Sequence, residues 1–337
     1  MGTTLTEDSQ ICGLPYEVWL KIVSYISPDD VLNLRRTCRK MYVLSSSESL
    51  WKLLLERGID SWAIVSHSHN PLVGSSRPAM DVYRICRPRQ WETELPKVAF
   101  ASSYPRLSKF FTGLKQMVHW NNEVPRCAIF GPGIESSRTS SIIHQLLGLP
   151  GKGNSDSAMN LVEFLPGEGL GTGGLVESQS TGQRFHMFIL YTKSKNRREE
   201  LADFQDRLEQ SPFFKRNLNE TYSPSDSAKQ LFESLSGMIY VVDSSCPTKK
   251  LPPSAKMELK MLCDIAPLSS PLLVLAAFEK DNKQPFADGI SPASCAKQLD
   301  LSSYARPWQV CAVRIGDHSS QLVNPVNWLG SSASKVP

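Results

Sequence analysis

The stretch RCAIFGPGIESSRTSSIIHQLLG, residues 126–148, reads as an apolar strand, a glycine-bearing turn and a helix in direct succession. Strand, turn and helix in that order form the setting in which a backbone cradles a phosphate, so the turn decides how the rest of the chain is read. A working phosphate loop follows G-x-x-x-x-G-K-[ST]: glycines let N–H groups approach the anion, Lys reaches the outer phosphates, and Ser or Thr holds magnesium. With Arg138-Thr139 set on the Lys-Ser/Thr pair, Ser137 stands in place of the last glycine and Pro132 in place of the first. Proline has no N–H to offer, and a planar guanidinium replaces a compact ammonium poorly in a tight nest. The sequence therefore predicts a degenerate phosphate loop built from Gly131, Pro132, Gly133, Ser137, Arg138 and Thr139.

Outward from this turn, the runs RCAIF, RFHMFILY, GMIYVVD, PLLVLAAF and WQVCAVRI read as buried strands with helices or loops between them. They predict a mostly parallel, doubly wound α/β domain over residues 125–330, with residues 331–337 as a tail. GGLVESQS, joined through Thr181-Gly182 to QRFHMFILY, predicts an antiparallel hairpin on the edge of that sheet. Gly174, Leu175, Val176, Glu177 and Ser178 on such an edge can accept a partner strand by backbone pairing, or can simply be an edge kept soluble by Glu177 and Gln179.

The order and wording of these strands resemble a small GTPase, especially the ADP-ribosylation-factor-like kind. MIYVVDSS (238–245) is similar to that family's fourth strand, LLVLAAFEKD (272–281) to the strand before its guanine-specifying Asn-Lys-x-Asp, and VCAVRIGD with LVNPVNWL to its last strand and helix. The resemblance implies a fold of the phosphate-loop NTPase type. The nucleotide site does not carry over: FLPGEGLGTGG supplies no Asp-x-x-Gly, and AAFEKD leaves only Asp281 as a displaced guanine ligand. The expectation is a dead GTPase fold with no cofactor and no metal, serving as a protein-binding surface. The alternative is a GTP-binding switch in which Arg138, Thr139 and Asp281 still hold nucleotide.

The N-terminal segment is of a different kind. From Ile11 it reads ICGLPYEVWLKIVSYISPDDVLNLRRTCRKMYVLSSSESLWKLLL, which predicts three short helices. Val18, Leu20, Ile22, Val23 and Ile26 make one packed stripe, Asp29 or Asp30 caps a second helix running through Cys38, and Leu50, Trp51, Leu54 and Leu55 belong to a third. About 45 residues seldom bury enough surface to stand alone, so part of this apolar surface should meet a partner or the rest of the chain. Leu14-Pro15, Glu17, Leu20, Ile22, Ile26, Asp30, Leu34, Cys38 and Trp51 resemble the F-box motif nearly position by position over residues 11–57. That resemblance implies docking on the adaptor Skp1 of a cullin-RING ubiquitin ligase, with Leu14, Pro15, Leu20, Ile22, Leu32 and Leu34 entering the adaptor groove. The segment before it, 1–10, reads as a tail.

Together the two halves, with VYRICRP (82–88) and FILYTKSKNRREE (188–200), resemble F-box proteins that carry a degenerate small-GTPase-like domain. The resemblance implies a non-catalytic substrate receptor of an SCF ubiquitin ligase, whose F-box binds Skp1 and whose second domain captures the protein to be degraded. It also implies candidate substrates, a telomere repeat-binding factor and a D-type cyclin. A homodimer is compatible with the sequence.

Composition bounds the remaining classes. The 37 basic and 33 acidic residues leave a net charge of +4, and the densest basic cluster, KSKNRR at 193–198, is short. Neither nucleic acid nor an anionic membrane is the expected partner, and no apolar run approaches the roughly 20 residues that span a bilayer. Eight cysteines at 12, 38, 86, 127, 246, 263, 295 and 311 form no C-x-x-C pair. Reduced thiols are expected, and with them the cytoplasm or also the nucleus. His67 and His69 lack partners at metal-ligand spacing. MGTTLT fits the pattern for myristoylation at Gly2, Asn219 opens a sequon, and residues 58–124 read as a helical connector. Ser27, Ser211, Ser223, Ser270 and Ser291 each precede proline, as turn residues do and as proline-directed phosphorylation requires.

Overall fold

The computed structural model describes residues 14–58, 61–68, 77–86, 124–147, 158–165, 172–191, 207–217, 221–245, 248, 250–279, 289–316 and 320–333. The chain divides into two compact units, one made of residues 1–62 and 68–87 and the other of 63–67 and 88–337.

The first unit is helical: α1 Tyr16–Ser24, α2 Pro28–Leu34, α3 Arg39–Leu44, α4 Glu48–Arg57 and α5 Ala79–Cys86. Pro15 precedes α1 and its carbonyl accepts the Trp19 N–H at 3.2 Å. Ser27 caps α2 by accepting the Asp30 N–H, with Pro28 in the first turn. The second expected helix, read as running through Cys38, ends at Leu34, and a helix the sequence reading did not name follows it. Thr37 turns its hydroxyl back onto the Leu34 carbonyl at 2.8 Å, and Cys38 is extended, so α2 stops and α3 starts afresh. Val31, Leu44, Leu50, Trp51, Leu54 and Leu55 are buried, as are Val82, Tyr83 and Cys86 of α5. The Trp51 indole N–H donates to the Ser45 carbonyl at 2.6 Å, and its ring lies 5.2 Å from that of Tyr83. Both Glu48 carboxylate oxygens accept the Ala79 N–H at the start of α5. The expected connector thus contributes a helix to this unit.

The second unit is built on an eight-stranded sheet in the order β1-β10-β9-β8-β2-β5-β4-β3. The strands are β1 Ile64–Ser66, β2 Arg126–Phe130, β3 Met159–Leu165, β4 Thr172–Ser178, β5 Arg184–Ile189, β8 Gly237–Asp243, β9 Leu272–Phe278 and β10 Trp308–Arg314, with β6 Phe214–Arg216 and β7 Tyr222–Pro224 forming a separate hairpin. From β10 through β5 the neighbours are parallel. Every residue of β9 is buried and all but the last of β8, as strands covered on both faces must be. On one face, α6 Ile142–Leu147 and α11 Ser320–Ala333 pack Ile142, Leu146, Leu322, Val326 and Leu329 against Cys127, Ile129, Ile239 and Val241. On the other, Phe130 meets Phe232 edge to face at 5.2 Å, and the Tyr240 hydroxyl donates to the Ala255 carbonyl. These contacts bring in α8 Asp226–Glu233 and α9 Pro253–Ile265; α7 Arg207–Gln210 and α10 Pro292–Gln298 are further helices of this unit.

Three sequence expectations change. Antiparallel strands stand at both ends of the sheet rather than at one edge, because β1 pairs with β10 within what was read as a helical connector. The hairpin of β4 and β5 is present, but β4 is not an edge: Gly174 faces Phe164 on one side and Met187 on the other. The missed strand, β3, lies close over the glycine; a Cβ there would meet Leu161 Cδ1 at 2.5 Å and the Glu163 carbonyl oxygen at 2.8 Å. The proposed capture edge Gly174, Leu175, Val176, Glu177 and Ser178 is therefore already paired. Finally, α11 runs past residue 330 to Ala333, and LSKFFTGLKQMVHW of the connector lies outside the described residues.

Candidate functional site

On the helical unit, Leu14 is 36% exposed, Val18 41%, Ile22 42% and Tyr25 71%. Val18 and Ile22 lie one turn apart on one side of α1, with Leu14 just before the helix and Tyr25 at its C-terminal end, while Val23 on another side is 1% exposed. The stripe expected to pack is thus divided: Val23 enters the core, Leu20 and Ile26 are half-buried, and Val18 and Ile22 face out. Of the six residues assigned to the adaptor, Leu14, Pro15 and Ile22 are exposed, whereas Leu20, Leu32 and Leu34 are half-buried. The assignment missed Tyr16, Tyr25, Tyr42, Val43 and Leu53, all exposed. Eight of the twelve exposed large apolar residues among those described belong to this unit. A groove of about 380 Å³ lined by Tyr16, Trp19, Arg39, Lys40, Val43 and Leu44 runs between α1 and α3, with the Lys40 ammonium 5.7 Å from the Trp19 ring centroid.

On the α/β unit, β5 lies on one side of β2 and β8 on the other, which makes the C-terminal end of β2 the switch point where such sheets bind ligands. The loop there is packed rather than open. Gly131 has φ +117° and leads into a 3₁₀ turn, Pro132–Ile134, all three residues of which are buried. A Cβ on Gly131 would lie 2.5 Å from the Val241 carbonyl oxygen, and one on Gly133 would lie 2.6 Å from Val241 Cγ1 and 2.8 Å from the Val242 carbonyl carbon. Both glycines let the loop sit on β8; neither faces an empty cradle. Thr139 is fully buried and donates its hydroxyl to the Gly133 carbonyl at 2.7 Å. Ser137 and Arg138 are exposed, and Arg138 Nη1 lies 3.5 Å from the Ser245 carbonyl oxygen.

Two residues that sequence reasoning did not single out hold this loop. The Ser136 hydroxyl donates to Asp243 Oδ2 at 2.6 Å and accepts the Arg138 N–H at 3.3 Å, while Asp243 Oδ1 accepts the Ser245 N–H at 2.9 Å. Ser244 donates to the Ala277 carbonyl, and Glu279 N–H to the Ser245 hydroxyl, so the ends of β2, β8 and β9 are stitched together by the chain's own groups. Asp281 lies outside the described residues.

Burial pushes the thiols of Cys86, Cys127, Cys263, Cys295 and Cys311 up to about 12, which keeps them protonated and poor nucleophiles. His67 Nδ1 accepts the Trp308 N–H at 3.3 Å, and His69 lies outside the described residues. No group of three His, Cys, Asp or Glu is placed to hold a metal among the described residues.

Residues 11–57 match the F-box-like family model. Over 96% of its length the chain is 24% identical to F-box only protein 4 of Bos taurus, 84% of which is covered. It is 25% identical over 95% of its length to the Homo sapiens protein of that name, 83% of which is covered, and 24% identical to that of Mus musculus. The chain carries an F-box-like domain at its N-terminus, followed by an α/β domain with a mostly parallel sheet.

Proposed function

We propose that this chain is a substrate-recognition subunit of an SCF ubiquitin ligase, in which the F-box-like domain binds Skp1, and through it a cullin-RING core, while the α/β unit holds the protein to be ubiquitylated. The observation that carries the reading is the concentration of exposed apolar side chains on the helical unit, above all Val18 and Ile22 on α1 with Leu14 and Tyr25 at its two ends. A small helical domain that leaves so much apolar surface outside its own core gains stability when a partner covers it. The name of the relatives supports an F-box role. Ubiquitin transfer belongs to other subunits; this chain supplies proximity and orientation, which account for much of the barrier to a bimolecular reaction.

The α/β unit is read as a small-GTPase-like fold that takes no nucleotide. Support comes from the strand order, with β2 central and β8, β9 and β10 in sequence beside it, and from a switch-point loop already filled by packing on β8. Among the described residues a nucleotide-gated switch finds no supporting contact, since Thr139 is turned onto a carbonyl and Arg138 onto the chain outside the loop. The substrate classes that the resemblance implies, a telomere repeat-binding factor and a D-type cyclin, and a cytoplasmic or nuclear setting, belong to the same proposal.

The test is titration of the full chain with purified Skp1. Wild type should bind, and replacing exposed Leu14 and Ile22 together with Asp should weaken binding at least 100-fold while the thermal transition of the chain stays in place. Absence of binding by wild type, or an unchanged affinity of the variant, would end this reading.

A further inference from the structure

The five Ser-Pro pairs are not equivalent in the fold. Ser211, Ser270 and Ser291 are 4%, 1% and 3% exposed. Their hydroxyls are engaged as well: Ser211 accepts the Phe213 N–H, Ser270 donates to the Leu235 carbonyl at 2.6 Å, and Ser291 caps α10. Ser223 is half-buried in β7 and donates to Asn217 Oδ1. Ser27 alone is exposed, in an extended backbone with φ −63° and ψ 145°, between two helices of nine and seven residues. Helical segments so short open locally at small cost, which gives an enzyme access to the peptide around them.

We propose that Ser27 is a phosphorylation site for a proline-directed kinase, and that its phosphate loosens α2 and weakens docking of the adaptor on the helical unit. In the transfer, the γ-phosphoryl group of ATP passes to Ser27 Oγ, the bond to the leaving ADP breaks, and the hydroxyl proton is released. That proton now bridges Ser27 Oγ to Asp30 Oδ2 at 2.6 Å. Once esterified, the oxygen has nothing to donate, and a phosphate carrying about −1.5 to −2 charge stands against the carboxylate of Asp30, with Asp29 beside it in the same turn.

A phosphate at a helix start can also be stabilising, and the local groups decide which effect wins. Pro28 brings no N–H. The Asp30 N–H is already held by Ser27 Oγ and the Val31 N–H by the Ser27 carbonyl. Two carboxylates already occupy the positive end of the helix. Only the Asp29 N–H is left to set against the two carboxylates, so repulsion outweighs gain, and it acts on the helix that carries Leu32 and Leu34. The effect on docking rests on the adaptor reading above; the modification and the loosening of α2 do not.

The experiment treats the full chain with a proline-directed kinase and ATP, maps phosphate by peptide mass spectrometry, and then measures Skp1 affinity and amide hydrogen exchange over residues 28–34. One phosphate at Ser27, absent in Ser27→Ala, at least tenfold weaker Skp1 binding and faster exchange are expected, while the affinity of Ser27→Ala, which has lost the α2 cap, is the same before and after kinase treatment. No phosphate at Ser27 under conditions that modify a control Ser-Pro peptide would overturn the proposal, as would a modified chain with unchanged affinity and exchange. If the unmodified chain already fails to bind Skp1, the adaptor reading has failed instead, and exchange over 28–34 with and without phosphate decides this inference alone.

Discussion

Gly133→Ala tests whether the loop after β2 is a packed turn. The backbone at Gly133 has an ordinary φ, so the substitution acts through space alone. The new methyl would meet Val241 Cγ1 at 2.6 Å, the Val242 carbonyl carbon at 2.8 Å and the Val241 carbonyl carbon at 3.0 Å, and two of these three atoms belong to the backbone of a central strand at two fully buried residues. Neither the loop nor β8 can give without moving its neighbours, so the cost falls in the overpacking range, about 2 kcal/mol. For a unit of this size that lowers the melting transition by about 4–8 °C. The assay is scanning calorimetry of the full chain, with Skp1 affinity as a control that should not change. Val241→Ala removes the Cγ1 contact and leaves the two backbone contacts, so the same glycine change should cost less in that background, with a coupling of about 0.5–1 kcal/mol. A Gly133→Ala variant within about 0.5 kcal/mol of wild type would refute the reasoning, because a methyl group could then enter a space said to be full.

Two further outcomes follow from buried polar groups. Arg306 is 3% exposed, and its guanidinium donates to the carbonyls of Cys263, Ala266, Pro267 and Ser270 around the end of α9. Arg306→Met leaves these acceptors without their charged donor and should destabilise the unit by about 3 kcal/mol in urea unfolding, with Arg306→Lys recovering only part because an ammonium cannot fork to both sides. His186 is held below its ordinary 6.5 first by burial and then by the charge of Arg126, against a smaller opposite effect of Glu163. The unfolded chain therefore takes up this proton first, so the stability the neutral ring provides is present above about pH 6.5 and is lost as pH falls toward the folded value. His186→Gln should flatten the pH dependence of unfolding between pH 7 and 5, and an identical slope would exclude His186 as its source.

What the sequence reveals depends on how local the cause is. GMIYVVD and LLVLAAF are unbroken apolar runs and read at once as central strands, and they are β8 and β9. Pro132 and Arg138 are legible as departures from the phosphate-loop pattern because each lacks what that chemistry needs at its own position. Strand β3 escapes because its register shifts between Leu161 and Glu163, so that Val162 is an extra residue and the alternation of two is lost. Strand β1 has three residues, and its partner Val310 lies far along the chain from Val65. The Ser136–Asp243 bond joins residues 107 positions apart. On α1, periodicity gives one stripe, Val18, Leu20, Ile22, Val23 and Ile26, and only packing divides it, with Val23 buried and Val18 and Ile22 facing out.

The extra residue in β3 carries an expectation for how the protein behaves when concentrated. Val162 and Phe164 are 46% and 56% exposed on a strand that stands at the end of the sheet among the described residues. A straight strand with such side chains would invite a second molecule to zip onto it and begin a fibre. The extra residue bends the backbone and interrupts the regular ladder of donors and acceptors that such growth requires. Deleting Val162 would straighten the strand, and the expected price is a protein that folds but precipitates.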